Sequence, residues 1–408
     1  MIKMNKSTSI KKRAFLFLLL LGIISLLSDF THEGARSIYG SFLGLIGASA
    51  LVVSFISGLG EFIGQAFRLV TGPIADKSKK YWLMMFVGYA LNLLVIPLLM
   101  FVDFSNWEIA IILILLERVG KGIRAPAKSA LTSFTAPHLG AGKSFAIQEA
   151  MDQFGAFLGP VFVFIVLAFN KGTELEGYHL AFGLLGIFAV LTLVVLFISK
   201  IKYPHPDEFE TSSKRQSIRS NKSFKYYMIA VALIAFGFID YPVMAFHMSE
   251  TTKVSVTVIP LLYALAMGVD AIAALIFGHF FDKKGIISLI WAISITLFMA
   301  PVFFLTNSIV GVIIAVVIWG IGMGAQESIL KAVVSTMVSK EKRATAYGIF
   351  YSVFGSAWFI GSLIIGYLYE MSLLYVVIFS TFFEILAVLF LMIYMFHKEN
   401  TSEFIKNE

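Results

Sequence analysis

The 408 residues are 58% hydrophobic and 15% aromatic but only 14% charged, against roughly 25% charged in a soluble domain, so no soluble core could enclose this much apolar surface. The formal charge of +7 does not indicate nucleic acid, which would need basic residues gathered on a water-exposed face. With no cysteine in the chain, disulfides and thiolate metal sites are excluded.

Lys11-Lys12-Arg13 and the apolar run behind them imitate a secretion signal, but no small-residue cleavage site follows and many further hydrophobic stretches do. A helix needs about 20 mostly apolar residues to cross roughly 30 Å of hydrocarbon. Twelve segments meet that requirement: 14–38, 49–71, 82–101, 107–135, 144–169, 179–199, 226–248, 255–277, 286–304, 309–337, 344–369 and 373–396. Lys and Arg crowd the N-terminal tail, every second connection and the C-terminal tail, while the intervening connections hold only Lys171 and Lys253. Because cytoplasmic loops retain positive charge, this places both termini on the cytoplasmic side of the inner membrane. The longest hydrophilic stretch, with Pro204, Pro206 and a Ser/Lys/Arg-rich run, divides the chain into an N-terminal bundle (1–199), a cytoplasmic linker (200–225) and a C-terminal bundle with a short tail (226–408).

The two halves read as copies, a common plan among transporters. Gly72-Pro-Ile-Ala-Asp76-Lys77 after span 2 matches Gly278-His-Phe-Phe-Asp282-Lys283 after span 8 at an offset of 206. Val119-Gly120-Lys121-Gly122 in span 4 matches Ile321-Gly322-Met323-Gly324 in span 10 at 202, and Phe154-Gly155 matches Phe354-Gly355 at 200. The expected fold class is therefore an all-α membrane protein of twelve transmembrane helices in two pseudo-symmetric six-helix bundles.

Over essentially the whole chain these motifs resemble the major facilitator superfamily. Its loop motif between spans 2 and 3 is met by Gly72, Asp76, Lys77 and Lys80, although Lys79 stands where the family usually has a second Gly and Tyr81 where it has a basic residue. The resemblance implies that this segment, with Gly278 and Asp282 in the second half, forms a cytoplasmic gate that latches in the outward-open state. The bland alternative is a plain turn held inside by its lysines, in which Gly72 permits a tight turn or a close helix approach. Arg118 and Gly122 meet a second signature. Gly155-Ala-Phe-Leu-Gly159-Pro160 meets a third, which the family associates with export, although Val163 and Phe164 replace its closing Gly pair. The stretch from Glu117 to Pro126 resembles a prokaryotic subgroup of unassigned substrate.

Seventeen charged residues fall inside the spans, namely Asp29, Glu33, Glu61, Glu117, Glu149, Asp152, Asp240, Asp270, Glu327, Glu384, Arg36, Arg68, Arg118, Lys121, Arg124, Lys128 and Lys331. Each costs roughly 2.5 to 3.5 kcal/mol near the bilayer centre, so they are expected to face the bundle interior, an aqueous path or one another. Asp29, Glu33 and Arg36 share a helix face, as do Glu117, Lys121, Arg124 and Lys128. The spacing also allows Asp152 to pair with Arg118. Asp29, Glu33, Arg36, Glu117, Arg118, Glu149, Asp152 and Asp240 are candidates for the substrate and proton pathway, with buried structural pairing as the alternative. Lys121 and Arg124 are candidates for an anionic substrate group. Arg68 and Lys128 read as snorkelling anchors, Glu327 and Lys331 as a pair near the inner surface, and His32 as a hydrogen-bonded interfacial residue, with membership of a proton relay as the alternative.

Gly140-Ala-Gly142-Lys143-Ser144 echoes a phosphate-binding loop, but Pro137 occupies the position of its first Gly. No His-Glu-x-x-His or Gly-x-Ser-x-Gly occurs, so an enzyme has nothing to build on. The expected function is a monomeric, cofactor-free secondary transporter of a small organic solute, coupled to protons and exporting by proton antiport. The alternatives are a proton-coupled uptake symporter of an organic anion and a metal-ion carrier using Asp29, His32 and Glu33. More remote is a non-transporting receptor or membrane enzyme.

Overall fold

The computed structural model describes residues 6–139, 141–209, 222–251, 254–306, 308–330, 332–334 and 343–406, and no β-strand occurs among them. The helices are α1 (Lys6–Leu45), α2 (Ala50–Ser78), α3 (Tyr81–Leu93), α4 (Glu108–Phe134), the single turn α5 (Ala136–Leu139), α6 (Ala141–Phe169) and α7 (Glu174–Lys202). They continue with α8 (Lys222–Gly237), α9 (Tyr241–Glu250), α10 (Ile259–Lys284), α11 (Ile287–Thr296), α12 (Met299–Leu305), α13 (Ile309–Ala325), α14 (Arg343–Met371) and α15 (Leu373–Lys406). Among the described residues eleven helical segments are long and apolar enough to cross a membrane. The twelfth expected span is α4, which at 27 residues is long enough but carries Glu117, Arg118, Lys121, Arg124 and Lys128.

Three expected spans are interrupted for local reasons. The third stops at Leu93 and resumes as one 3₁₀ turn, Pro97–Phe101, because Pro97 has no N–H to continue the ladder. The ninth divides into α11 and α12, and Pro301 stands four residues after Leu297, whose carbonyl its ring would strike. The seventh divides into α8 and α9, with Asp240 capping α9 through its carboxylate on the Tyr241 N–H at 2.9 Å and Pro242 in the first turn. The groups freed there find partners. Ser380 Oγ on α15 donates to Gly237 O at 2.7 Å, and Trp319 Nε1 on α13 donates to Ile239 O at 2.9 Å. Following α13, a π-helical turn spans Gln326–Leu330, and the Tyr227 hydroxyl donates to Leu330 O at 2.8 Å.

The chain forms two compact units, Met1–Gly47 with Ile63–Lys214, and Ala48–Phe62 with Arg215–Glu408. In the first, α6 lies backbone to backbone on α1. A Cβ on Gly155 would fall 2.2 Å from Leu26 O, and one on Gly159 would fall 2.1 Å from Phe30 O. The third signature thus acts here as a small-residue packing seam. In the second unit the first half of α2 packs on α14 through Ser54, Gly58, Ser362 and Gly366, and Glu370 accepts from the Leu51 N–H at 3.2 Å. The packing core around α8 gathers Tyr227, Ile234, Leu289, Ile293, Leu391 and Tyr394.

The copied motifs make equivalent contacts in the two units. Gly120 closes on Asn92 of α3 and Gly322 on Thr296 of α11, each from the span just before. Gly122 closes on Phe67 of α2, and Gly324 on the Asp270 backbone of α10. The expected loop motif, however, lies on helix: α2 runs through Gly72 to Ser78 and α10 through Gly278 to Lys284. A Cβ on Gly72 or Gly278 would meet nothing within 4 Å, so neither serves a tight turn or a close approach in this conformation. The turns come later. Lys79 has φ +54°, the one positive φ among described non-glycine residues, and Gly285, offset by 206, has φ +60°. Both turns close with the same bond, Lys79 N–H to Ala75 O at 2.9 Å and Gly285 N–H to Phe281 O at 2.8 Å.

A left-handed lysine costs about 1 to 2 kcal/mol relative to glycine, so Lys79→Gly should raise the unfolding temperature of the purified protein, and Gly285→Ala should lower it. Gly159→Val should abolish folded protein in a size-exclusion assay of membrane extracts. Gly278→Ala, in open space on a helix, should keep it and gain about 0.5 to 1 kcal/mol in thermal unfolding.

Candidate functional site

The site lies within the first unit, where α1, α3, α4 and α6 bring their polar residues together. Asp29, Glu33 and Arg36 follow one another along α1, and Glu117, Lys121, Arg124 and Lys128 along α4, at helical spacing. The two rows meet. His32 is wholly buried between them, with Nδ1 2.7 Å from Glu117 Oε1, Nε2 3.0 Å from Lys121 Nζ and 3.4 Å from Glu33 Oε1. Glu33 lies 3.5 Å from Arg36 and 4.0 Å from Lys121. Asp29 lies 3.5 Å from Arg124. His32 is therefore part of the core of the cluster and not an interfacial residue.

Glu117 is fully buried at 0% exposure, where an unmatched charge would be severely destabilising. The Arg118 Nε lies 3.2 Å from its Oε2, and Asn92 of α3 clamps it from the other side. The Asn92 amide donates to the Glu117 main-chain carbonyl at 3.1 Å and also to its carboxylate. The same Asn92 accepts from Arg124 Nε at 3.0 Å. Arg124 lies over the Tyr89 ring, 4.5 Å from its centroid, and reaches the Tyr89 hydroxyl at 3.4 Å. The clamp exists because α3 and α4 touch: a Cβ on Gly120 would sit 2.3 Å from Asn92 N and 2.7 Å from Gly88 O.

One expected pairing and one expected anchor are corrected. Asp152 does not take Arg118; Lys128 donates to its two oxygens at 3.0 and 2.7 Å, and Gln148 lies 3.5 Å away. Lys128 is therefore an internal partner with a 14% exposed side chain and not a headgroup anchor, since α6 offers it a carboxylate within reach. Glu149, three residues before Asp152 on α6, is exposed and accepts from the Gln153 amide at 3.4 Å. Asp240 lies in the second unit, where the Ser57 hydroxyl donates to its carboxylate. That unit buries Asp240, Asp270 and Glu384, and among its described residues no Lys or Arg is buried. Asp76, Lys77 and Lys80 are exposed, and the expected Glu327–Lys331 pair involves Lys331, outside the described residues. No group of three His, Cys, Asp or Glu placed to hold a metal ion occurs among the described residues, so the metal-carrier alternative has no ligand set there.

Charged side chains paired with one another among apolar helices mark a polar path through the membrane or a buried structural network. The chain belongs to the Major Facilitator Superfamily, whose family model matches residues 14–246 and 228–408. An uncharacterized protein of Mycobacterium tuberculosis is 34% identical over 92% of this chain and 91% of its own length. An uncharacterized MFS-type transporter of Methanocaldococcus jannaschii is 28% identical over 86% of this chain and 88% of its own. Among solved structures, the nucleoside transporter NupG superposes with a TM-score of 0.76 at 13% identity, covering 93% of this chain and 99% of that one, a likeness of fold.

Sequence reasoning missed Asn92, Tyr89 and Gln148. The signal was present in Asn92, an amide in the middle of an otherwise apolar span, which is conspicuous in lipid. Replacing Asn92 by Leu leaves buried Glu117 and Arg124 without their bridge and should cost about 1 to 3 kcal/mol, read as a lowered unfolding temperature of the purified protein. Leu94→Ala, on the exposed side nearby, should leave that temperature within experimental scatter.

Proposed function

We propose that the protein is a secondary active transporter that moves a small organic solute by alternating access, takes its driving force from protons, and exports by proton antiport. The reading is carried by the Asp29–Arg124, Glu117–His32–Lys121 and Lys128–Asp152 contacts. Each places a carboxylate against a cation or an imidazole in a dry environment, where uptake of one proton releases the partner. Export follows from the resemblance of Gly155-Ala-Phe-Leu-Gly159-Pro160 to the exporters' signature. The exposed row Asp76, Lys77 and Lys80, with Gly72 and its copies Gly278 and Asp282, acts as the cytoplasmic gate. Open space around Gly72 and Gly278 supports that role, since it leaves room for another element to approach in a different state. The protein works as a monomer in the inner membrane with both termini in the cytoplasm, built as bundles 1–199 and 226–408 joined by the 200–225 linker.

Reconstitution into proteoliposomes with an imposed pH gradient, scanned across a panel of small solutes, tests this. Asp29→Asn, Asp152→Asn and Arg118→Gln should each reduce gradient-driven flux by about tenfold or more. If all three leave it unchanged, proton coupling through this cluster is wrong. Flux that runs with the proton gradient and not against it would replace export by uptake.

A further inference from the structure

The helix ends of the first unit mark one edge of the membrane. α3 starts after Lys80 and α7 stops at Lys202, and between them three rings close the unit, Phe17 lying 6.2 Å from Trp82 and 5.0 Å from Tyr203. Just inside that edge α3 and α7 meet along a seam, where Phe86 and Phe197 pack edge to face at 6.5 Å. The seam is flanked by exposed apolar side chains, Leu83 and Val87 from α3 and Phe197 and Ile201 from α7. In a membrane protein such a surface is covered by acyl chains.

Cations stand at the rim of the seam. Lys80 on α3 and Lys200 and Lys202 on α7 are all exposed, whereas α7 begins at the opposite edge with Glu174 and Glu176. The acids near the basic rim are Asp76 on α2 and Glu208, which takes Arg13 at 3.6 Å. Lys200 is placed unusually. A lysine in the last turn of a membrane helix ordinarily stretches outward to water. Lys200 lies across the seam instead, its Nζ 5.6 Å from the centre of the Phe86 ring, within reach of the attraction of the ring face. Phe86 is six residues along α3 from Lys80, about 9 Å deeper at 1.5 Å per residue. That separation is close to one headgroup layer, roughly 5 to 8 Å thick. Two lysines thus bracket the depth of a phospholipid headgroup beside an apolar groove.

We propose that the α3–α7 seam binds an anionic phospholipid, with its phosphate between Lys80 and Lys200 and its acyl chains along Leu83, Val87, Phe197 and Ile201. Charge and apolar surface together select this occupant. A free phosphate gains nothing from the groove. A zwitterionic headgroup brings its own ammonium to its phosphate, so the lysines add little to its binding. A headgroup with net negative charge is attracted by each of them, while its chains fill the seam. Such a site does not depend on what the protein carries or in which direction.

The test uses purified full-length protein in a neutral detergent, titrated with phosphatidylglycerol or phosphatidylcholine and read by native mass spectrometry as the affinity of the first bound lipid. Phosphatidylglycerol should bind wild type about fivefold or more tighter than phosphatidylcholine, and Lys80→Gln and Lys200→Gln should each weaken it by about fivefold. Lys200→Arg should keep the affinity. So should Lys284→Gln, which removes an exposed lysine from α10 of the second unit. All four variants should unfold at the wild-type temperature when no lipid is added. The proposal is overturned if phosphatidylcholine binds as tightly as phosphatidylglycerol, or if Lys200→Gln binds like wild type. It is equally overturned if Lys284→Gln weakens binding as much as Lys200→Gln, which would mean diffuse surface charge, or if inorganic phosphate at the concentration of the lipid displaces it, which would mean a site for the free anion.

Discussion

Glu117 is the point on which the first unit turns. A carboxylate with no exposed surface survives inside apolar helices only when every neighbour answers it, and here Arg118, His32 and Asn92 do so from three directions. The answers require two helices to come closer than ordinary side chains allow. Gly88 and Gly120 remove the obstacle between α3 and α4, and Gly155 and Gly159 remove it between α1 and α6. Small residues and buried charges are thus one design. The glycines set the distances, and the distances let the ions be satisfied.

The same skeleton in the second unit holds different chemistry. Gly322 and Gly324 repeat the contacts of Gly120 and Gly122 on the equivalent helices, yet the second unit surrounds them with Asp270, Gln326 and aromatic rings instead of a chain of cations. Phe238, Tyr241 and Tyr263 each pack tilted or edge-on against Trp319, with centroids 5.7 to 6.2 Å away, and Tyr241 lies 4.3 Å from Tyr263. A duplicated frame has therefore kept its backbone spacing while its two copies took on separate electrostatic characters.

Much of this was visible in the residues. Helix existence followed from apolar length, the duplication from Gly and Asp at near-constant offset, and the facing rows of charge from i, i+4, i+7 spacing. Partner choice was not visible, because Arg118 and Lys128 sit ten residues apart on one helix and about 80° apart around its axis, and the placement of α6 decides which of them meets Asp152. Helix ends were also misread at Gly72 and Gly278. A Gly-Pro pair suggests a turn, but the helix of α2 continues through it, and the left-handed residue that ends it is Lys79, a type that rarely adopts that conformation. His32 was underrated for a similar reason: a single histidine carries no periodicity, and its importance comes from what two other helices place on either side of its ring.

The interruption between α8 and α9 has a mechanical meaning. Its free carbonyls are occupied by a serine from α15 and an indole from α13, and its new helix start is held by Asp240, which Ser57 of α2 engages in turn. Such a joint behaves less like a loose elbow than like a rivet through four rods. Any swing of α9 must either shear those bonds or drag α2, α13 and α15 along with it, so a local displacement at Asp240 becomes a movement of the whole assembly around it.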